Sequence, residues 1–187
     1  MPEGPTQELL VGYIEDAHAM EQMSNTALAA LIRSAPDLPE FQDPLTHHKE
    51  ETERHIQRLA ERLEAHGKSP SKLKDAGGIL NAGIVGVLDK LRTDNAGRLA
   101  RDGYTVEQLE IASYKMLERV ASRCGDEKTA EVARQNRADE EAMAKKLDDS
   151  WDLVVDVALQ QEGIQAAPPF KADSSIGAKP PEPGTAT

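Results

Sequence analysis

The sequence predicts an all-α protein, a four-helix bundle with a crossover segment between its second and third helices. Three observations carry this expectation. Alanine, leucine, glutamate, lysine and arginine dominate, and only six of the 187 residues are aromatic, which suits helices and is poor material for a β-sandwich. Four long segments repeat apolar positions at intervals of three and four, the period of one helix face. Prolines and glycines fall between those segments, where helices stop.

The first helix is expected from Thr6 to Ser34, with Leu9, Leu10, Tyr13, Ala17, Met20, Ser24, Ala27, Leu28 and Leu31 on its stripe and Thr6, Glu8 and Glu15 forming a capped, acidic start. The run Ala35-Pro36-Asp37-Leu38-Pro39 stops it, because each proline disfavours helical geometry in the residue before it. A second helix runs from about Asp43, through Pro44 in a first-turn position, to His66, with Gly67 as its end signal. Its stripe is Leu45, His48, Thr52, His55, Ile56, Leu59 and Leu63. Ser69 to Leu91 is apolar and glycine-rich and is expected to cross the bundle as a short helix or a broken pair. The third helix spans about Asp94 to Cys124 and ends at Gly125, with Gly97 and Gly103 as candidate breaks in its first half. The fourth starts at Asp126 and continues to about Gln161, burying Ala130, Ala133, Glu140, Ala144, Leu147, Trp151, Val154 and Ala158 before Gly163 closes it. Residues 1–162 thus form the bundle, and 163–187, polar and rich in proline, read as a disordered tail.

Charge narrows the function. The chain carries 33 acidic against 22 basic side chains, a net charge of −11, which argues against a general nucleic-acid or anionic-membrane surface. The longest apolar stretch, Gly77 to Leu88, is interrupted by Asn81 and four glycines and falls short of the ~20 apolar residues of a membrane span. A single cysteine, Cys124, and a first segment without a basic region or apolar run make the cytoplasm the expected compartment. A glycine-rich phosphate loop, a zinc-type cysteine cluster and a nucleophilic triad are all missing from the sequence.

The predicted inward stripes nevertheless carry carboxylates near the middle of every helix. These are Glu21 in the first, Glu51 with His55 in the second, Glu107 with Glu110 in the third, and Glu140 with Glu141 in the fourth. Burying several carboxylates together is prohibitive without compensation, since each loses hydration and repels the others. Two divalent cations remove both penalties, and oxygen ligands with one or two imidazoles suit iron or manganese. Glu51 and His55 differ by about 40° in azimuth and roughly 6 Å in rise, so both can face one inter-helix site. Glu107 and Glu110, three apart, pass the same test, Glu140 is in phase with Leu147 and Trp151, and His48 is in phase one turn before Glu51.

The segments Asp16-Ala-His-Ala-Met-Glu-Gln, Glu50-Glu-Thr with His55 and Arg58-Leu, Glu107-Gln-Leu-Glu-Ile-Ala-Ser-Tyr and Asn136 to Met143 together resemble the YciE/YciF-type ferritin-like stress proteins, a bacterial family, over about residues 8 to 160. The resemblance implies a ferritin-like di-iron carboxylate bundle, often dimeric and tied to stress responses. Glu21, Glu51, His55, Glu110 and Glu140 then occupy ligand positions, with Glu107 next; His48 is, from its phase alone, an additional ligand or supporting partner. Two departures stand out: histidine follows Glu51 at four rather than three, and Met143 occupies the place of the fourth helix's histidine.

Competing readings stay open at this stage. Taken singly, Glu107 or Glu141 reads as a boundary residue with its head in water, and the whole set can instead form buried salt bridges with Arg54, Arg134 or Arg137. His47 and His18 read as surface residues, and Tyr114, one turn beyond Glu110, as packing or as a hydrogen-bond donor to a ligand carboxylate. The leading functional expectation is two iron or manganese ions per chain reacting with peroxide or oxygen in stress protection. The alternative is a non-enzymatic homodimeric interaction protein whose metal is structural or absent, with the tail segment Ser174 to Lys179 as a motif that can dock on a protein partner.

Overall fold

The computed structural model describes residues 4–34, 39–69 and 95–165. Five helices account for nearly all of them: α1 Pro5–Ser34, α2 Pro39–Ala65, α3 Ala96–Arg123, α4 Glu127–Asp148 and α5 Trp151–Gln161. Among the described residues there is no strand. The expected crossover and the expected disordered tail, apart from its first residues, lie outside the described residues.

The helix ends follow local chemistry. Gly125 takes a φ of 76°, a left-handed conformation that costs a side-chain-bearing residue, and it lets Asp126 N–H reach the Ala121 carbonyl at 3.0 Å, closing α3. Gly67 closes α2 in the same way, with Lys68 N–H on Leu63 at 3.0 Å. Asn95 caps α3 by accepting from the Gly97 and Arg98 amides, and Asp126 caps α4 by accepting from Thr129 N–H at 3.1 Å.

Two boundaries and one expected break differ from expectation. Helix α2 begins at Pro39, whose missing N–H is free of consequence in a first turn, and Pro44 lies inside the helix. Gly97 and Gly103 do not interrupt α3, because the capped start and the packing of α5 against α3 hold that turn. The long fourth helix is instead two, since Asp149 and Ser150 form a turn and the Ser150 hydroxyl donates to the Leu147 carbonyl at 2.8 Å in competition with the helix. After the turn α5 folds onto α3: Trp151 packs edge-on against Tyr104, and Gln161 accepts from the Ala96 amide at 2.9 Å.

Cross-helix pairs fix the topology. Ser24 meets Glu110 and Thr6 meets Cys124, so α1 and α3 run antiparallel; His55 meets Asp139 and Arg62 meets Asp126, so α2 and α4 do too. Helices joined by short connections, α1 to α2 and α3 to α4, pack as neighbours. It follows that α2 and α3 point the same way, with the end of α2 and the start of α3 at opposite ends of the bundle, as a crossover requires. Along the axis the interior has three levels. Leu10, Ile14, Leu59, Leu63, Leu117, Ala121, Ala130 and Ala133 form a closely packed apolar end. A polar level follows at the middle, and then a second apolar region built on Leu28, Leu31, Leu45, Leu99 and Leu147.

Candidate metal centre

The middle level is made of the residues whose burial was hardest to explain. Glu21 of α1, His48 and His55 of α2, Glu107 and Glu110 of α3 and Glu140 of α4 are all buried. Two groups of donor atoms emerge, each lying within 4.8 Å of one another: His48, Glu107, Glu110 and Glu140, and separately Glu21, His55 and Glu140. Glu140 belongs to both. Its Oε1 stands 2.9 Å from His55 Nδ1 and its Oε2 stands 3.5 Å from His48 Nε2, so each oxygen faces a different imidazole. His48 Nε2 also lies 3.2 Å from Glu107 Oε1, and His55 Nδ1 lies 3.4 Å from Glu21 Oε1.

The donor set fits a cation better than it fits itself. Glu21 Oε2, His55 Nδ1, Glu107 Oε2 and both Glu140 oxygens are buried with no hydrogen-bond partner, although such atoms are normally satisfied. His55 Nδ1 and Glu140 Oε1 are close, yet not aligned as donor and acceptor. Spacings of this kind suit ligands of a shared ion, because donors ~2.1 Å from an octahedral centre stand about 3 Å apart.

The opposite face of each histidine is held by a carboxylate. His55 Nε2 lies 3.0 Å from Asp139 Oδ2, and His48 Nδ1 lies 3.5 Å from Glu51 Oε2. A carboxylate behind an imidazole fixes its tautomer and leaves the other nitrogen's lone pair free for a metal. Around Glu21 a hydrogen-bond chain runs inward from the rim. Arg58 donates to Asn136 Oδ1 at 2.9 Å, Asn136 Nδ2 donates to the Tyr114 hydroxyl at 3.0 Å, and that hydroxyl donates to Glu21 Oε1. Ser24 Oγ donates to Glu110 Oε1.

Protonation in the absence of metal follows from this crowding. Burial opposes charge on His48, but its hydrogen bond with Glu107 and the charges of Glu107, Glu140 and Glu21 outweigh it and raise the imidazole to about 9. Burial likewise opposes charge on His55, yet contact with Glu140 and Glu21 raises it to about 10. Burial first, then the neighbouring carboxylates, raise Glu140 to about 8 despite its contact with His55, and hold Glu110 well above the usual carboxylate range. Burial and the charges of Glu21 and Glu140 push Tyr114 up. The metal-free cluster therefore holds protons where cations would sit.

Set against the sequence expectation, Glu21, His55, Glu107, Glu110 and Glu140 converge, and His48 stands among them as a donor. Glu51 does not enter either group: its side chain is 14% exposed and its carboxylate lies against His47 and His48. His48 and His55 are seven residues apart and differ by only about 20°, so they face the cluster together, whereas Glu51, turned about 60° from His48, lies behind that imidazole against Nδ1. Met143 is buried on the apolar side of the cluster, where a histidine of α4 was missed. His18, expected at the surface, is buried, and burial lowers its pKa against the charge of Glu21, leaving it neutral near pH 7. Of the arginines considered as partners, Arg54 reaches Glu51, at 3.9 Å and at the exposed edge, while Arg134 pairs with Glu118, Glu127 and Glu131 and Arg137 with Glu118 and Glu141, away from the buried donors. Glu141 is half exposed and bound to Lys115 and Arg137. Asp139 was missed: its one sequence signal was its place beside Glu140, and only the structure sets it against His55 and Arg58 of α2.

An all-helical bundle with a buried carboxylate and histidine cluster that can hold metal defines the class. The chain belongs to the family described as Domain of unknown function (DUF892), which it matches over residues 6–159. Among solved structures, a protein of Xanthomonas campestris pv. campestris is 25% identical with a TM-score of 0.69, the match covering 85% of this chain and 99% of that one. YcfI of Rhodopseudomonas palustris is 24% identical with a TM-score of 0.57 over 78% of this chain and 94% of its own. The Escherichia coli stress protein YciF is 22% identical with a TM-score of 0.60 over 82% of this chain and 97% of its own. The resemblance to YciE/YciF-type proteins read from the helix motifs is thus borne out, and so is the all-α bundle. Among the described residues, no helix is long and apolar enough to cross a membrane.

Proposed function

We propose that the protein is a dinuclear metal carboxylate protein that binds two iron or manganese ions and reacts with oxygen or peroxide in stress protection. The single observation behind the dinuclear reading is Glu140, whose two oxygens face two separate donor groups without a hydrogen bond to either. Glu140 would bridge the ions, with His48, Glu107 and Glu110 on one side and Glu21 and His55 on the other. When bound, such ions supply redox capacity and an open position for a small oxidant. The chain's own residues do the rest. Asp139 and Glu51 orient the imidazoles, Tyr114 and Ser24 hold one oxygen each of Glu21 and Glu110, and the packed leucine and alanine end keeps bulk water from the lower face.

Titrating metal-free protein anaerobically with manganous ion and following its electron paramagnetic resonance tests the reading. Uptake of two equivalents with a spin-coupled spectrum, and oxidant consumption only by iron- or manganese-loaded protein, is the expected result. Uptake of a single uncoupled ion, or equal consumption without metal, would contradict it.

A further inference from the structure

The donor cluster is sealed at one end and hollow at the other. Toward the start of α1 and the end of α2, Leu59, Leu63, Leu117, Ala121, Ala130 and Ala133 are fully buried and in contact. On the opposite side two cavities lie in series. The smaller, about 30 Å³, touches Ser24, His48, Glu107 and Glu110; the larger, about 70 Å³, continues between Leu28, Leu31, Leu45, Leu99 and Leu147. A water requires roughly 10–15 Å³ of such space, so both are large enough to be occupied. Leu28, Leu31, Gly103 and Glu107 line both, which makes them neighbours along one path.

Gly103 is the residue without an architectural reason. It lies inside α3, where glycine costs up to about 1 kcal/mol against alanine. Its φ is not positive, so the backbone does not require it. A Cβ placed on it meets only Leu147 Cδ1, at 3.9 Å, an ordinary contact, so close packing does not require it either. What the missing side chain does leave is the junction between the two cavities, one turn before Glu107.

We propose that the two cavities form an apolar passage by which dioxygen reaches the His48, Glu107 and Glu110 side of the cluster, and that Gly103 keeps it open; this rests on the metal reading above. The chemistry selects dioxygen over hydrogen peroxide. Among the described residues, the larger cavity is walled by leucines, Met143 and Phe41, with Glu107 as its one ionisable contact. A hydroxyl buried there without a partner loses ~2–7 kcal/mol of hydration, whereas dioxygen has no hydrogen bonds to lose.

Xenon, an apolar probe of similar size, reports the passage without turnover. Crystals of the full iron-loaded chain, kept anaerobic and pressurised with xenon, are compared with Gly103→Leu and Gly103→Ala, and iron is counted in the same samples. The alanine variant has room for its methyl and secures the comparison should leucine prevent folding. Xenon between Leu28 and Leu147 in the native protein, reduced in Gly103→Ala and absent in Gly103→Leu at unchanged iron content, is the expected result. With it, the second-order rate of ferrous oxidation by dioxygen falls at least tenfold in Gly103→Leu. Native protein that carries iron but takes up no xenon, or variants that bind it equally, overturn the passage. Xenon in a chain that binds no iron sinks the metal reading and the proposal with it.

Discussion

Replacing Glu140 by glutamine separates a metal bridge from a structural ion pair. In the metal-free protein burial, with Glu21 and Glu107 beside it, raises Glu140 to about 8 against the opposing contact of His55 and so favours the neutral acid near pH 7. Glutamine matches that acid in shape and charge, and Glu140→Gln should change the metal-free stability by less than about 1 kcal/mol, or roughly 2–4 °C in Tm for a chain of this size. Metal changes the comparison. An ion at a hundred times its Kd stabilises the folded state by about 2.7 kcal/mol, so two ions give about 5 kcal/mol, or roughly 10–20 °C. An amide bridges two cations poorly, and because Glu140 belongs to both donor groups its loss weakens both sites. Anaerobic scanning calorimetry with and without manganese should therefore show a large upward shift in the native protein and little or none in the variant. An equal shift in both would refute the bridging argument. A metal-free variant destabilised by 3 kcal/mol or more would show instead that Glu140 serves as the ion-pair partner of His55.

Further outcomes follow from the same geometry. Chelator-treated protein should lose stability as the pH rises. The contributions of His48 and His55 are full below the ordinary histidine range near 6.5 and vanish as pH climbs through about 9 and 10, while Glu140 is penalised as it ionises up to about 8. Urea melts from pH 6.5 to 10 measure this, manganese loading should flatten the trend, and a rise with pH would contradict it. Tyr114→Phe keeps the ring but strands Asn136 Nδ2 and removes the donor to Glu21, so it should cost about 1–3 kcal/mol in urea melts with metal content unchanged. Asp126 caps α4 and pairs with Arg62 and His66, which with the Thr129 bonds hold its carboxyl far below the usual range against burial. Asp126→Ala should cost about 2 kcal/mol, about half from the cap and the rest from pairs weakened by solvent. The native advantage should be present above pH ~4 and fade as pH falls further, and a constant difference at pH 2 and pH 7 would be inconsistent with it.

Much of the fold was legible because its signals are local. Gly67, Gly125 and Gly163 end helices where a left-handed residue is needed, and Asp126 begins one where an orphan amide needs an acceptor. The break at Ser150 was not legible, since a serine inside a periodic segment shows only in three dimensions that its hydroxyl takes the Leu147 carbonyl. The cluster was visible as one carboxylate per helix stripe, and the exchange of Glu51 for His48 turns on about 60° of helical phase, finer than a pattern of apolar residues resolves. Asp139 was hidden for another reason, and so was the role of Ser24, whose place on the inward stripe was expected: a residue that supports a ligand need only touch it, and touching depends on which helices become neighbours. Gly103 read as a break because glycine is a poor helix former; tertiary packing held the helix and left a cavity in its place.

The most direct test of the central claim is the metal content per chain of protein purified without chelators or an affinity tag, beside a Glu110→Ala, His55→Ala double variant that removes one donor from each group. Iron, manganese and zinc are counted together on folded, monodisperse samples. Near two iron or manganese ions per native chain, falling to near zero in the folded variant, is the predicted result. Native protein that folds equally well with no metal, or with one ion that the variant retains, would contradict the account.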